Sequence, residues 1–326
     1  MVAEAFSQHD AFFKTRGVVI APADLSLADW PERAARAGLN TIALHPSPRA
    51  IASFVDSQEG AAFLQRCAEL GLHVEYELHA MSELLPRDLF GREPACFRMN
   101  GKGIRVADNN VCASSTTAVE VMAEHAVKLA GILRPTTGRH FLWGDDGGRW
   151  CKCPKCRGLS PSEQALSLEN RLVEALREID PDAQVAHLAY RNTLKPPKRV
   201  APAPGVFLEF APIQRRQDLP LAEGVAENRR DLELLDANLE VFPAETAQVL
   251  EYWLDASRFS EWRRPAVRIP WSSEVFATDL DTYGGRGIQN VTTFACYVDA
   301  EYVTRHGEPP LDQYGRRLRT WRSKSE

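Results

Sequence analysis

The feature of this sequence that most restricts its fold is a repeated alternation of short β-branched runs with longer amphipathic stretches. Residues 24–38 and 58–71 each predict a helix that ends at a glycine, followed by a leucine and then a strand. The alternation continues along the chain and predicts eight strands, at 17–20, 41–44, 73–78, 139–144, 185–190, 206–210, 246–254 and 290–297.

Eight such units in 326 residues predict a single-domain (β/α)8 TIM barrel at 17–326, preceded by an N-terminal extension at 1–16. The alternative is an open, doubly wound sheet. Pro22-Ala-Asp24 follows the first strand, where a dinucleotide-binding sheet would carry its glycine-rich turn, so we favour the barrel.

Charge and hydropathy exclude several classes of partner. The net charge of −5 leaves no basic footprint for nucleic acid, and no apolar run is long enough to span a membrane. The first residues contain no apolar signal core, so we expect a cytoplasmic protein. We expect no organic cofactor.

Polar and aromatic side chains collect at the predicted carboxyl ends of the strands, where a barrel places its functional groups. Aromatic rings stack on the C–H faces of sugars and polar groups bind their hydroxyls, so we expect a carbohydrate ligand. The candidate substrate-binding residues are His79, Tyr190, Arg191, Glu209, Trp253, Asp255 and Tyr297. Some of these residues have alternative roles. His79 could be a core histidine, and Arg191 and Glu209 could form ion pairs. Asp255 could be a second catalytic carboxylate or only a loop acid.

Two adjacent carboxylates, Asp145 and Asp146, follow the predicted fourth strand. Glycosidases usually place two carboxyl groups around the scissile bond. Adjacent strand residues point to opposite faces, but Gly147-Gly148 permits the strand to end before the pair. We therefore predict Asp146 as general acid, with Asp145 orienting it or binding a substrate acetamido group. A polar turn is the alternative.

Cys151, Cys153 and Cys156 follow a few residues later with the spacing C-x-C-x-x-C. Three thiolates at this spacing can bind one ion, and structural zinc takes four ligands in a tetrahedron. We predict a structural zinc whose fourth ligand is Cys96, Cys112 or a histidine. Free thiols or one disulfide are the alternatives.

Several segments in order resemble a known family: Leu78-His79-Ala, Glu93-Pro94-Ala-Cys-Phe97, Val111-Cys112-Ala-Ser, Asp146-Gly-Gly with the cysteine triplet, and Leu188-Ala-Tyr190. They resemble the bacterial family called domain of unknown function 4838, which is grouped with glycoside hydrolases such as α-glucuronidases and hexosaminidases. The chain departs from that pattern with Asp145 in place of asparagine and Glu93 in place of histidine. The Asp145-Asp146 pair separately resembles that of O-GlcNAcase-type hexosaminidases, whose first Asp serves the acetamido group.

The resemblance implies a glycoside-hydrolase-like barrel. We therefore expect a glycoside hydrolase, or a close relative, that acts on a small glycoside or oligosaccharide. A non-catalytic carbohydrate-binding barrel is the main alternative. A metal-dependent sugar isomerase is a weaker one, because it needs histidine and carboxylate ligands around an open metal.

Overall fold

The eight predicted strands form one closed, parallel barrel. The computed structural model describes residues 11–323. The strands are β1 Thr15–Ile20, β2 Thr41–Leu44, β3 His73–His79, β4 Arg139–Trp143, β5 Gln184–Ala189, β6 Val206–Phe210, β7 Gln248–Glu251 and β8 Asn290–Phe294. They pair in sequence order, and β8 returns to β1 with Val19 opposite Phe294. The predicted (β/α)8 barrel is confirmed.

Helices form an outer layer and lie between all consecutive strands except β5 and β6, where the only helical element is the 3-10 turn Arg191–Thr193. They are α1 Trp30–Ala37, α2 Pro48–Val55, α3 Gln58–Glu69, α4 Met81–Leu84, α5 Thr116–Leu133, α6 Pro161–Arg177, α7 Ala226–Leu239, α8 Ala256–Phe259, α9 Ser273–Gly284, α10 Ala300–His306 and α11 Leu311–Thr320. A capping box starts α6: Ser160 Oγ accepts from Glu163 N, and Glu163 Oε2 accepts from Ser160 N. No helix within residues 11–323 is long and apolar enough to cross a bilayer.

Some element bounds differ from the sequence prediction. The predicted helix at 24–38 is divided into a 3-10 turn, Pro22–Ser26, and α1. The predicted strands at 246–254 and 290–297 are shorter, because the chain leaves the barrel wall at Tyr252 and Ala295. Strand β1 begins at Thr15, within the predicted extension. Residues 1–10 of that extension lie outside the described residues.

Side chains alternate between the barrel interior and the helix layer, as the period of a strand requires. Val19, Ala43, Phe141, Phe207 and Leu250 belong to one interior cluster. Their neighbours along the strands pack in a larger apolar core between the barrel and the helices. The chain thus has one core on each side of the barrel wall.

A layer of charged and polar side chains lies inside the barrel. The Arg139 guanidinium lies 4.1 Å from the ring centroid of Phe207 and donates from Nη1 to Gln248 Oε1 at 2.6 Å. Gln248 Nε2 donates to Glu209 Oε1 at 3.0 Å and to Glu77 Oε1 at 3.3 Å. Burial raises the pKa of Glu77, and it raises the pKa of Glu209 to about 8.

Candidate functional site

A cavity of about 340 Å³ opens at the carboxyl ends of the strands, above the interior cluster. This is the face at which barrel enzymes place their active sites. Eight of its lining side chains carry aromatic rings: His45, His79, Trp143, Tyr190, Tyr252, Trp262, Phe294 and Tyr297. Two of its lining residues, Asp146 and Asp255, are acidic. Rings with a few converging polar groups suit a sugar.

Asp146 enters this cavity from the loop after β4. Its side chain is 53% exposed. The Tyr190 hydroxyl donates to Asp146 Oδ1 at 3.1 Å, and Arg191 Nε lies 3.9 Å from the same oxygen. Two residues from the end of β5 therefore orient this carboxyl group, which stays accessible to solvent and to a ligand.

Asp145 points away from the cavity. Its Oδ2 accepts from Asn110 N at 2.6 Å and from Arg87 Nη2 at 3.1 Å, both in the long loop after β3. Strand β4 ends at Trp143, and the chain turns at Gly147 with a φ of 61°. The two carboxylates therefore diverge, and Asp145 holds the loop on which Asp146 lies.

Asp255 is the second carboxylate in the cavity and caps the short helix α8 after β7. Its Oδ1 accepts from Ser257 N at 3.1 Å, from Ser257 Oγ at 2.6 Å and from Arg258 N at 3.3 Å. Burial raises the pKa of Asp255, and the hydrogen bonds from Ser257 oppose that shift. Strands β4 and β7 thus bring one carboxyl group each to the same cavity.

Two neighbouring histidines, His45 and His79, line the cavity. His45 Nδ1 lies 2.8 Å from Glu77 O, and His79 Nδ1 lies 2.7 Å from Gly144 O. Because a carbonyl only accepts, each Nδ1 donates, and in neutral His45 this leaves Nε2 as an acceptor. Burial, with the charge of His79 as a second cause, lowers the pKa of His45 to about 3. A neutral imidazole acceptor suits a sugar hydroxyl.

The structure brings most, but not all, of the predicted ligand-binding residues together. His79, Tyr190, Arg191, Asp255 and Tyr297 line the cavity. Glu209 and Trp253 do not.

Glu209 is fully buried in the barrel, where its Oε2 accepts from Trp143 Nε1 at 2.8 Å. It therefore contacts the cavity only through that ring. Trp253 faces the helix layer and donates from Nε1 to Asp279 Oδ2 at 2.9 Å. The alternation along β7 explains this, because Leu250 and Tyr252 take the interior positions.

Five aromatic residues of the cavity were not among the sequence-predicted site residues: His45, Trp143, Tyr252, Trp262 and Phe294. All except Trp262 lie an even number of positions from an inward-facing residue of the same strand, so strand alternation could have identified them. Trp262 lies in an irregular loop, and no periodic signal in the sequence points to it.

The predicted cysteine triplet forms a cluster with Cys112, one of the proposed fourth ligands. The four Sγ atoms lie within 4.8 Å of one another, and all four residues are buried. Cys112 Sγ is 3.8 Å from Cys153 Sγ and 3.9 Å from Cys156 Sγ. Cys96 is outside the cluster, and none of these cysteines is in a disulfide.

The cluster fits a tetrahedral thiolate site. Zn–S bonds of about 2.3 Å place the sulfurs of a tetrahedron about 3.8 Å apart. Met99 N donates to Cys151 Sγ at 3.3 Å, a contact that stabilises a thiolate. Four protein ligands would leave no open position, so such a metal would be structural. It would join the loop after β3 to the loop that carries Asp146.

Comparisons with known proteins agree with this architecture. Residues 54–240 match the sequence model described as "Domain of unknown function (DUF4838)". No curated protein matches the chain in sequence.

Solved structures of several glycoside hydrolases share the fold. PbGH5A, a glycoside hydrolase family 5 enzyme from Prevotella bryantii B14, is 13% identical with a TM-score of 0.51; the match covers 98% of this chain and 99% of that one. The chitinase RmChi1 from Rhizomucor miehei is 13% identical with a TM-score of 0.54, covering 93% and 99%.

Gan42B, a GH42 β-galactosidase from G. stearothermophilus, is 13% identical with a TM-score of 0.53 over 95% of this chain. This chain spans only 57% of that protein. At these identities the likeness is one of fold: the chain shares a (β/α)8 barrel with these enzymes.

Proposed function

The chain belongs to the DUF4838 family, and from that premise we propose that it is a glycoside hydrolase acting on a small glycoside or oligosaccharide. The observation that carries the proposal is that Asp146 and Asp255 line one ring-rich cavity from the ends of two different strands. Two carboxyl groups converging on a sugar-sized site are what glycoside hydrolysis requires.

We assign Asp146 as the general acid. A general acid must regain its proton from water in each turnover, and the side chain of Asp146 is 53% exposed. Asp255 is only 4% exposed and has one oxygen held by three donors, so it suits the carboxylate that stabilises or attacks the anomeric carbon. Asp145 is a positioning residue for the loop of Asp146.

The non-catalytic sugar-binding barrel remains the competing function, and the kinetic test below separates it. The sugar-isomerase alternative is not favoured by the residues. Among residues 11–323, the four-cysteine cluster is the only group of three or more possible metal ligands whose ligand atoms lie close together. Its ligands are thiolates, whereas an isomerase metal needs oxygen and imidazole ligands with an open position.

We also propose that the four cysteines bind a structural zinc. Three of them lie on the loop of Asp146, so the metal would limit how far that carboxyl group can move. The zinc would take no part in the reaction, because four thiolates complete its coordination.

The test is a screen of aryl glycosides that pair each sugar with a poor and a good leaving group. We expect the Asp146→Asn variant to lose about 10² to 10⁴ in kcat with the poor leaving group, because that group needs a proton. The loss should be far smaller with a dinitrophenyl leaving group. Asp255→Asn should impair both substrates. Asp312→Asn, an exposed change on α11, is the matched control.

Equal activity of wild type and Asp146→Asn on both substrates would remove Asp146 from the mechanism. A leaving-group effect in Asp255→Asn instead would exchange the two roles. Retained sugar binding without hydrolysis of any glycoside would establish the binding barrel in place of the enzyme.

A further inference from the structure

A second cleft, of about 690 Å³, adjoins the proposed catalytic cavity. Its lining residues are Arg191, Asn192, Ile213, Gln214, Arg258 and Trp262. Arg191, Ile213 and Trp262 line the catalytic cavity as well, so the two spaces are continuous. Two of these six residues are arginines. Among residues 11–323, no acidic residue lines the cleft.

Arg191 lies at the boundary between the two spaces. Its side chain is 41% exposed, and its guanidinium carbon lies 5.2 Å from the ring centroid of Tyr190. Its nearest carboxylate contact, Nε to Asp146 Oδ1, is 3.9 Å and too long for a hydrogen bond. The guanidinium therefore has donors available for a ligand in the cleft.

Arg258 is held in place on the other side. Its Nη2 donates to Ile213 O at 2.9 Å, and its guanidinium carbon lies 5.8 Å from the Tyr252 ring centroid. Asp255 caps α8 through the backbone of Arg258. No carboxylate of the described residues lies within 4.0 Å of the Arg258 guanidinium; Asp255 interacts with its charge at longer range, so the remaining Arg258 donors are free to bind a ligand. A fixed, half-buried guanidinium is a ready partner for a planar anion.

Trp262 supplies an aromatic surface that lines both the cleft and the catalytic cavity. Its side chain is exposed, with 59% of the residue accessible. Its backbone is held by a bond from Trp262 N to Ser257 O at 2.7 Å and by the Tyr297 hydroxyl, which donates to Trp262 O at 3.3 Å. An exposed indole on a fixed backbone can stack on a sugar ring.

We propose that this cleft is a subsite for an anionic sugar unit, one that carries a carboxylate or a sulfate, next to the bond that is cleaved. The inference rests on the proposed function and adds to it the charge of the substrate. Arg191 and Arg258 bind the anionic group, while Trp262 stacks on the ring. Oligosaccharides with a neutral sugar at this position bind more weakly, since both guanidinium groups then lose water without gaining an anion.

The experiment measures binding calorimetrically with matched pairs of oligosaccharides. Hydrolysates of pectin and glucuronoxylan are compared with the same material after carboxyl reduction, and a carrageenan hydrolysate with its desulfated form. We expect one anionic preparation to bind at least about tenfold more tightly than its neutral counterpart. The carboxylate and sulfate pairs identify which anion is used. The preference should weaken with added salt.

Variants locate the effect. Arg258→Gln and Arg191→Gln should each remove most of the preference, and Arg258→Lys should retain part of it. Arg316→Gln makes the same charge change at an exposed position on α11 and should leave the preference intact. Arg191 is largely exposed, so its variant tests the subsite even if Arg258→Gln does not fold.

Equal binding of charged and neutral partners, or no binding of any anionic preparation, would overturn the subsite. Hydrolysis of neutral aryl glycosides in that case would leave the proposed function standing. An arginine-dependent anionic preference without cleavage of any glycoside would support the subsite and refute the hydrolase.

Discussion

Asn110 and Asp145 bind each other twice across two loops of the barrel face. Asn110 N donates to Asp145 Oδ2 at 2.6 Å, and Asp145 N donates to Asn110 Oδ1 at 2.9 Å. Asn110 has a φ of 43°, a conformation that asparagine tolerates better than most residues. This reciprocal pair connects the long loop after β3 to the residue immediately before Asp146.

We predict that Asn110→Ala lowers both stability and kcat. The variant loses the acceptor for Asp145 N and the donor to Arg149 O, and alanine is strained at this φ. Together these should cost about 2 kcal/mol in the free energy of unfolding, measured with urea.

Asn100→Ala is the control for this prediction, because the Asn100 side chain accepts only from Lys102 N and Ile104 N within the tip of the same loop. If Asn110→Ala kept wild-type kcat on aryl glycosides, the pair would have no part in placing Asp146.

Zinc binding should depend on Cys112 and not on Cys96. Protein purified without a histidine tag should contain about one zinc per chain by elemental analysis, as four thiolates bind one ion. Cys112→Ser should lower that content and make zinc easier to remove with a chelator. Cys96→Ser, a buried cysteine of the same loop, should not.

Removal of the zinc should lower activity while the barrel stays folded, because the cores on both sides of the barrel wall lie elsewhere. Zinc and iron contents near zero, with all four thiols of the folded protein reacting freely with a thiol reagent, would eliminate the site.

His45 should make the protein less stable as the pH falls. Its folded pKa of about 3 lies below the unfolded value of 6.5, so the unfolded chain binds more protons between these limits. Stability is therefore lost as the pH decreases through 6.5 towards 3.

We expect His45→Asn to lose about 2 kcal/mol less than wild type between pH 6.5 and pH 5. Urea unfolding at the two pH values measures this difference, with His73→Asn, an exposed histidine, as control. Parallel stability curves for wild type and His45→Asn would contradict a neutral, buried His45.

Glu209 should have the opposite pH dependence. Burial raises its folded pKa to about 8 from 4.5, so its contribution to stability is complete below 4.5 and is lost as the pH rises through 8. Between pH 5.5 and pH 8.5, Glu209→Gln should therefore lose about 3 kcal/mol less unfolding free energy than wild type does.

Glutamine has only one side-chain oxygen, so the substitution also alters one of the hydrogen bonds that Gln248 and Trp143 donate to Glu209. The comparison is therefore between the changes in unfolding free energy with pH, and not between the absolute stabilities. Trp143 lines the cavity, and its fluorescence reports whether the ring has moved. An identical pH dependence in both proteins would place the titration elsewhere in the buried network.

Local patterns were sufficient to predict the barrel. Residues such as Val18, Ile42 and Val291 form strands because β-branched side chains suit a pleated wall that is buried on both sides, and each run is followed by an amphipathic helix. The capping box at Ser160 and Glu163 is equally local, and it marks the start of α6 correctly. Such features depend on neighbours a few residues apart, so one sequence contains them.

The predicted site was less complete, because its members meet only after folding. Alternation on a strand could have distinguished Tyr252, which lines the cavity, from Trp253, which faces the helices, once the true end of β7 was known. Asp145 and Asp146 are adjacent in sequence, yet the turn at Gly147 and the contact with Asn110 send them in different directions.

The sequence by itself determined the repeating βα units, the cysteine triplet with its convergent spacing and the position of Asp146 after a buried strand. Only the tertiary structure decided which partners those residues meet: Cys112 rather than Cys96 beside the triplet, Asp255 as the second carboxylate of the cavity, and Glu209 beneath Trp143 instead of in contact with a ligand. The physical reason is distance along the chain. Closing the barrel brings together loops that are far apart in sequence, and no local pattern records which of their side chains will share a cavity.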